Sequence, residues 1–307
     1  MKILITGANG FLGSKLLREL VVNNDVSITL RKDSRLDKID DILELYNVNK
    51  LYMDELSDLE IEDFFKNEGI ELILHCATNY GKNNEYYFKV FDSNILFPLK
   101  LLEIGMKYNL KYFINTDSYF NKNNLTYNAL PNYSKTKRLF LDYLQEIGNK
   151  IVVINMRLEH IFGPNDNDDK FVPFLLKKLI SNAEVDLTYG HQKRDLVYID
   201  DVVSAYIKII NILEQIESPY FQDLEIGSGS SIELKTFIEM IKNHLKSSSK
   251  LNYGKINYRD DEIMNSYANG SLVKFGEKYK INFLFSRVEK SVEQLISKHK
   301  IVNSHDK

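Results

Sequence analysis

The opening twenty residues restrict the fold more than any other stretch of this chain. Lys2-Ile3-Leu4-Ile5-Thr6 is a short apolar run, and Gly7-Ala8-Asn9-Gly10-Phe11-Leu12-Gly13 follows it without a gap. Phe11, Leu12, Leu16, Leu17 and Leu20 then recur at helical spacing, opposite Ser14, Lys15, Arg18 and Glu19. The pattern predicts a buried strand, a sharp turn and an amphipathic helix. Gly7 permits the turn, Gly10 lets a ligand approach the backbone, and Gly13 lets the helix pack near the strand. The backbone N–H groups of this turn, including those of Asn9, Phe11 and Leu12, then converge on a helix N-terminus, where an anion is favoured. An ordinary glycine-rich turn is the competing reading, but it does not require strand, turn and helix in this order. The expected ligand is a dinucleotide pyrophosphate.

Further apolar, β-branched stretches occur at 26–30, 71–77, 111–115, 150–156 and 223–227, with helix-patterned segments between them. That alternation predicts an α/β fold, a doubly wound parallel (Rossmann) sheet. A smaller C-terminal substrate domain is expected to interleave with it. The expected division is 1–157 with 189–229 for the dinucleotide domain and 158–188 with 230–295 for the substrate domain. The polar segment 296–307 is expected to fray. A net charge of −3 gives no electrostatic case for nucleic acid or an anionic membrane. The apolar runs are too short to span a bilayer and no signal peptide precedes the first strand, so a cytoplasmic location is expected. The single Cys76 sits in an apolar strand, where a reduced, buried thiol is expected. No metal-ligand spacing is present, and no metal is expected.

A second motif, Tyr133-Ser134-Lys135-Thr136-Lys137, opens a later amphipathic helix after Pro131 and Asn132. Tyr133 and Lys137 are four residues apart and share a helix face. A free tyrosine has a pKa of about 10, and an adjacent ammonium favours the phenolate. Lys137 is therefore expected to lower the Tyr133 phenol. A bare Tyr/Lys pair at this spacing is weak on its own in a chain with 19 tyrosines. Its position after a dinucleotide-binding half gives it meaning. Thr116, at the end of the strand before this helix, offers a hydroxyl; a turn-forming Thr116-Asp117-Ser118 cluster is the alternative.

The spacing G-x-x-G-x-x-G with the later Tyr-x-x-x-Lys resembles the extended short-chain dehydrogenase/reductase family, the NAD-dependent epimerases and dehydratases. Leu74-His75-Cys76-Ala77-Thr78, Asn94, Arg157-Leu158-Glu159-His160-Ile161-Phe162-Gly163-Pro164 and Arg194-Asp195-Leu196-Val197-Tyr198-Ile199-Asp200-Asp201 extend the resemblance to about residue 290. It implies a catalytic set of Thr116, Tyr133 and Lys137. Ala77 and Asn94 are implied beside the cofactor, and Lys137 on the nicotinamide ribose. Asp54, after the third strand, matches the position that contacts adenine, although a helix N-cap is nearly as good a reading. Where NAD-preferring members place an acid after the second strand, this chain has Arg31-Lys32-Asp33-Ser34. Arg31 offers a planar cation and Ser34 a neutral donor for a 2′-phosphate, so NADP(H) is the expected cofactor.

Asp117 and Ser118 stand where sugar-nucleotide dehydratases carry an acid and a glutamate base. Serine is too weak a base to abstract a carbon-bound proton, which leaves plain hydride transfer. Asn115 to Phe120, Arg157 to His160 and Tyr258 to Glu262 resemble the CDP-abequose and CDP-paratose synthase branch. That branch implies NADPH-dependent reduction of a 4-keto-deoxyhexose nucleotide. Its substrate is expected to meet Asn79, Tyr80, Asp117, Ser118, Glu159, His160, Arg194 and Arg259. A 4-epimerase retaining NAD and a non-catalytic dinucleotide sensor are the alternatives. The resemblance also implies a homodimer built on the helices within 86–107 and 133–148, whose apolar residues occupy more than one face.

Overall fold

The computed structural model describes residues 1–82, 85–122 and 130–305. Its chain forms two compact units, one from Met1–Arg157 with Val203–Leu224, the other from Leu158–Val202 with Glu225–Lys307. Residues 189–202 and 225–229, expected with the dinucleotide domain, thus group with the second unit.

The first unit is organised by a seven-stranded parallel sheet. Across it the order is Tyr220–Ile226, Val152–Leu158, Tyr112–Ser118, Leu72–His75, Lys2–Thr6, Asp25–Leu30 and Asn49–Tyr52. The order reverses beside the first strand, which pairs with Asp25–Leu30 on one side and Leu72–His75 on the other. That reversal is the switch point at which such sheets bind ligands, outside the carboxyl ends of the strands. Six strands coincide with the six apolar stretches of the sequence. The seventh, Asn49–Tyr52, buries only Leu51 and has no apolar run to announce it. One face of the sheet is covered by a core that includes Leu4, Phe65, Ile73, Leu101, Phe113, Phe140 and Leu144.

Two helices matter most for the site. Phe11–Leu20 buries Leu12, Leu16, Leu17 and Leu20, as its periodicity predicts. Pro131–Ile147 begins on a proline, which suits the first helical turn because its missing N–H would be unsatisfied there anyway. It buries Tyr133, Thr136, Lys137, Phe140, Leu141 and Leu144.

The second unit has its own core, with Phe162, Leu175, Leu179, Tyr198, Phe237 and Ile241 among its fully buried members. The helix Val288–His305 runs through the segment expected to fray. Val292, Leu295 and Ile296, before or at the start of that segment, dock the helix into that core. No helix among the described residues is long and apolar enough to cross a membrane.

Candidate active site

The glycine turn has the geometry its sequence requires. Gly7 has φ +68, and a Cβ there would lie 2.7 Å from the Ala77 backbone nitrogen. A Cβ on Gly13 would lie 2.1 Å from the Gly7 carbonyl oxygen, so the helix packs directly on the turn. At Gly10 a Cβ would meet only that oxygen, at 3.1 Å, and would otherwise enter open space before the helix. Gly10 is the N-cap, no side chain caps the helix, and its first turn holds no acidic residue. Open space facing uncapped N–H groups suits a pyrophosphate. The turn is held by Thr6, whose hydroxyl accepts from the Ala77 N–H at 3.2 Å and lies 2.7 Å from His75 Nδ1. Asn9 turns its amide away to the Arg35 carbonyl, at 3.2 Å.

At the end of the second strand, the Ser34 hydroxyl accepts the Arg31 N–H at 2.9 Å and Asp54 accepts the Lys32 N–H at 2.6 Å. Asp54 thus fastens the loop after the second strand to the segment after the third. The Arg31 side chain is 70% exposed, with Asp33 3.9 Å from its Nε. Such a loosely held guanidinium is available to a phosphate. The residues present therefore fit a dinucleotide.

Tyr133, Lys137 and the Thr116 backbone come together near the carboxyl end of Tyr112–Ser118, while the Thr116 hydroxyl faces Tyr206 and Cys76. Lys137 donates from Nζ to the Thr116 carbonyl at 2.7 Å and lies 5.9 Å from the Tyr133 ring centre. Tyr133 is buried, stacked on Tyr80 with centres 4.9 Å apart, and met edge-on by Phe120 at 6.3 Å. The expectation that Lys137 lowers the phenol is not met. Burial holds Tyr133 well above its ordinary range, Tyr80 and Asp117 push the same way, and only a hydrogen bond with Ser118 opposes them. Burial also lowers Lys137 itself, against the pull of Asp117.

Asn94 lies in a π-helical turn, Asp92–Leu96. Its Oδ1 accepts from the Asn79 N–H at 2.7 Å, and its Nδ2 donates to the Asn79 carbonyl at 2.8 Å and to Thr136 Oγ1 at 3.0 Å. It ties the segment bearing Asn79 and Tyr80 to the helix bearing Tyr133. Asp117 is likewise engaged by the protein. It accepts from the Ser118 N–H, from Asn121 and from Asn155, with Arg157 Nε 3.8 Å away. Arg157 pairs in turn with Asp223 at 2.5 Å. Sequence reasoning missed Asn155 and Asp223, and also Tyr206, whose hydroxyl lies 2.9 Å from Thr116 Oγ1. Polar residues inside strand and helix patterns were the only signal.

Within the second unit, Glu159 is buried and accepts from the Ser266 hydroxyl at 2.7 Å, with His160 Nδ1 3.6 Å away. Arg194 pairs with Glu262 at 2.5 Å, while Arg259 is exposed. Asp195, buried, accepts from the N–H groups of Ser228, Gly229 and Ala268 and from the Ser228 hydroxyl. Burial raises its carboxyl even so.

Similarity to known proteins agrees with this geometry. The chain is 38% identical to a CDP-abequose synthase of Salmonella muenchen over 302 residues, 96% of this chain and 97% of that one. It is 33% identical to the CDP-abequose synthase of Salmonella typhimurium, over 96% and 97% of the two chains. Among solved structures, a UDP-glucose 4-epimerase from Thermotoga maritima superimposes with a TM-score of 0.80 at 20% identity, covering 98% of this chain and 99% of that one. Residues 3–227, which hold the turn and the Tyr133/Lys137 pair, match the NAD dependent epimerase/dehydratase family, and the chain belongs to it.

Proposed function

We propose that the protein reduces the C4 keto group of a nucleotide-linked 4-keto-deoxyhexose, CDP-linked, to the 4-hydroxy sugar for surface polysaccharide synthesis. The single observation that supports it most is the buried Tyr133, with Lys137 Nζ 5.9 Å from its ring centre and held by the Thr116 carbonyl. Ser118 and the fully engaged Asp117 provide no base for dehydration. The Salmonella relatives supply the substrate class. Arg31 favours NADP(H), and bound in the glycine cradle the reduced cofactor supplies the hydride for C4. Tyr133 gives its proton to the developing alkoxide. Lys137, held by the Thr116 carbonyl, compensates the phenolate left behind. Asn94 keeps Tyr80 and Tyr133 in register as a positioning residue. Arg194 and Arg259 are assigned to the diphosphate, Glu159 and His160 to the sugar.

Incubating the protein with NADPH and a panel of CDP-, GDP-, dTDP- and UDP-4-keto sugars, with mass spectrometry of the products, tests the reading. The product is expected to gain two hydrogens as NADPH is consumed. An isomer formed without net cofactor consumption would establish the epimerase alternative. Tyr133→Phe is expected to lower kcat by ~10²–10⁴-fold with little change in NADPH affinity. Arg31→Asp is expected to move preference toward NADH, and tighter NADH binding by the unaltered protein would overturn the cofactor assignment.

A further inference from the structure

The loop after the second strand has its backbone fastened and its cations left open. At its start the Arg31 N–H donates to the Ser34 hydroxyl at 2.9 Å and the Ser34 N–H to the Arg31 carbonyl at 3.0 Å, which closes a turn. Asp54 accepts from the Lys32 N–H at 2.6 Å. At the far end the Arg35 carbonyl accepts from Asn9 Nδ2 at 3.2 Å. Asn9 belongs to the glycine turn, so this bond joins the pyrophosphate cradle to a loop 26 residues further along the chain. A backbone fixed in this way needs no further ordering when a ligand arrives. The side chains are held differently. Arg35 is exposed, and among the described residues none meets its guanidinium with a hydrogen bond or an ion pair. Arg31 has Asp33 3.9 Å from its Nε.

The charges of this loop do not balance a phosphate through Arg31 alone. A phosphomonoester bears nearly two negative charges at neutral pH, and Asp33 offsets part of the one positive charge of Arg31. In a dinucleotide the adenosine ribose follows the pyrophosphate, and its 2′ position lies at the end of the second strand. The Asn9 bond sets the backbone of residue 35 beside the turn that takes the pyrophosphate, one long side chain from that strand end. We infer that Arg35 is a second cation for the 2′-phosphate of the adenosine ribose, and that Asn9 is the positioning residue that keeps it within reach. The inference rests on the NADP(H) reading, which Arg31 and Ser34 alone support so far.

The 2′-phosphate is isolated by comparing NADPH with NADH, and 2′,5′-ADP with 5′-ADP, in calorimetric titrations without any sugar substrate. The unaltered protein is expected to bind the 2′-phosphorylated member of each pair more tightly. Arg35→Ala is expected to weaken NADPH and 2′,5′-ADP roughly tenfold at low salt, less at high salt, and to leave NADH and 5′-ADP unchanged. Arg35→Lys should recover part of that loss, since the charge returns without the planar fork. Asn9→Ala keeps the guanidinium and should cause a smaller loss of the same selective kind. Undiminished preference in Arg35→Ala overturns the inference, as does an equal loss for all four ligands. An equal loss within each pair in Asn9→Ala overturns the positioning role; should that variant not fold, Asn9→Ser is read in the same way. If the unaltered protein does not prefer the 2′-phosphorylated ligands, the NADP(H) reading fails and this inference with it. A preference that survives Arg35→Ala but not Arg31→Asp rejects Arg35 and leaves that reading standing.

Discussion

Alanine at Gly13 would set a methyl carbon 2.1 Å from the Gly7 carbonyl oxygen and 3.0 Å from the Ala8 Cα. Relief requires a displacement of about 1 Å or more to reach ordinary contact. The turn cannot retreat, because Gly7 is already pressed on the Ala77 backbone, where its own Cβ would lie 2.7 Å from nitrogen. The helix Phe11–Leu20 must therefore withdraw, straining the packing of Leu12, Leu16 and Leu17. Overpacking of this kind costs about 1–3 kcal/mol of stability. The same displacement draws N–H donors away from the pyrophosphate, and losing one charged hydrogen bond costs about 1.5–3 kcal/mol, or roughly 10- to 150-fold in affinity. Gly10→Ala is the control, since its methyl meets only the Gly7 oxygen at 3.1 Å and otherwise fills the open cradle. It should weaken the dinucleotide with little change in stability. Thermal unfolding and fluorescence titration of NADPH separate the two. Gly13→Ala with unaltered melting and affinity would refute the reasoning, as would a Gly10→Ala protein as unstable as Gly13→Ala.

Two further predictions concern stability and assembly. Burial holds His75 well below its ordinary range, with the Lys137 charge adding to the effect, so it stays neutral in the fold. The stability this implies is full above the unfolded value of about 6.5 and is lost as pH falls toward the folded one, at up to ~1.4 kcal/mol per pH unit. Urea unfolding of His75→Gln should therefore lack that part of the acid slope; an unchanged slope excludes the assignment. Tyr87, Phe88, Leu96 and Leu139 are exposed on the helices expected to pair two copies. Light scattering at micromolar concentration should show a homodimer, and Phe88→Glu should weaken it; a monomeric unaltered protein refutes this.

The sheet was legible because each buried parallel strand is a short apolar run, and the turn because glycine spacing is dictated by close backbone approach. Asn49–Tyr52 was implied only by the family resemblance that set Asp54 after a third strand, because a strand burying one side chain leaves no apolar pattern. Tyr133 and Lys137 were legible from helical spacing, but the direction of the Tyr133 shift was not. Spacing reports that an ammonium is near, whereas burial, which decides the sign here, depends on Tyr80 and Phe120 arriving from elsewhere in the chain. Tyr206 was illegible for the same reason, being 90 residues from Thr116. Of the apolar residues on the helices expected to pair, Ile95, Leu102, Leu141 and Leu144 are buried in the fold, while Phe88, Phe91 and Leu139 are exposed.

The interleaved course of the chain governs how this protein can be recombined with its relatives. It leaves the first unit after Arg157, returns at Val203 and leaves again after Leu224. A chimera joined once, near residue 157, would take the edge strand Tyr220–Ile226 from the other parent. That strand flanks Val152–Leu158, every residue of which is buried, and supplies Asp223 to Arg157. A single crossover therefore mismatches a sheet edge and an ion pair inside the dinucleotide half. Exchange of substrate preference by shuffling requires junctions at all three crossings, so variation in this scaffold is expected to accumulate by substitution within units rather than by their exchange.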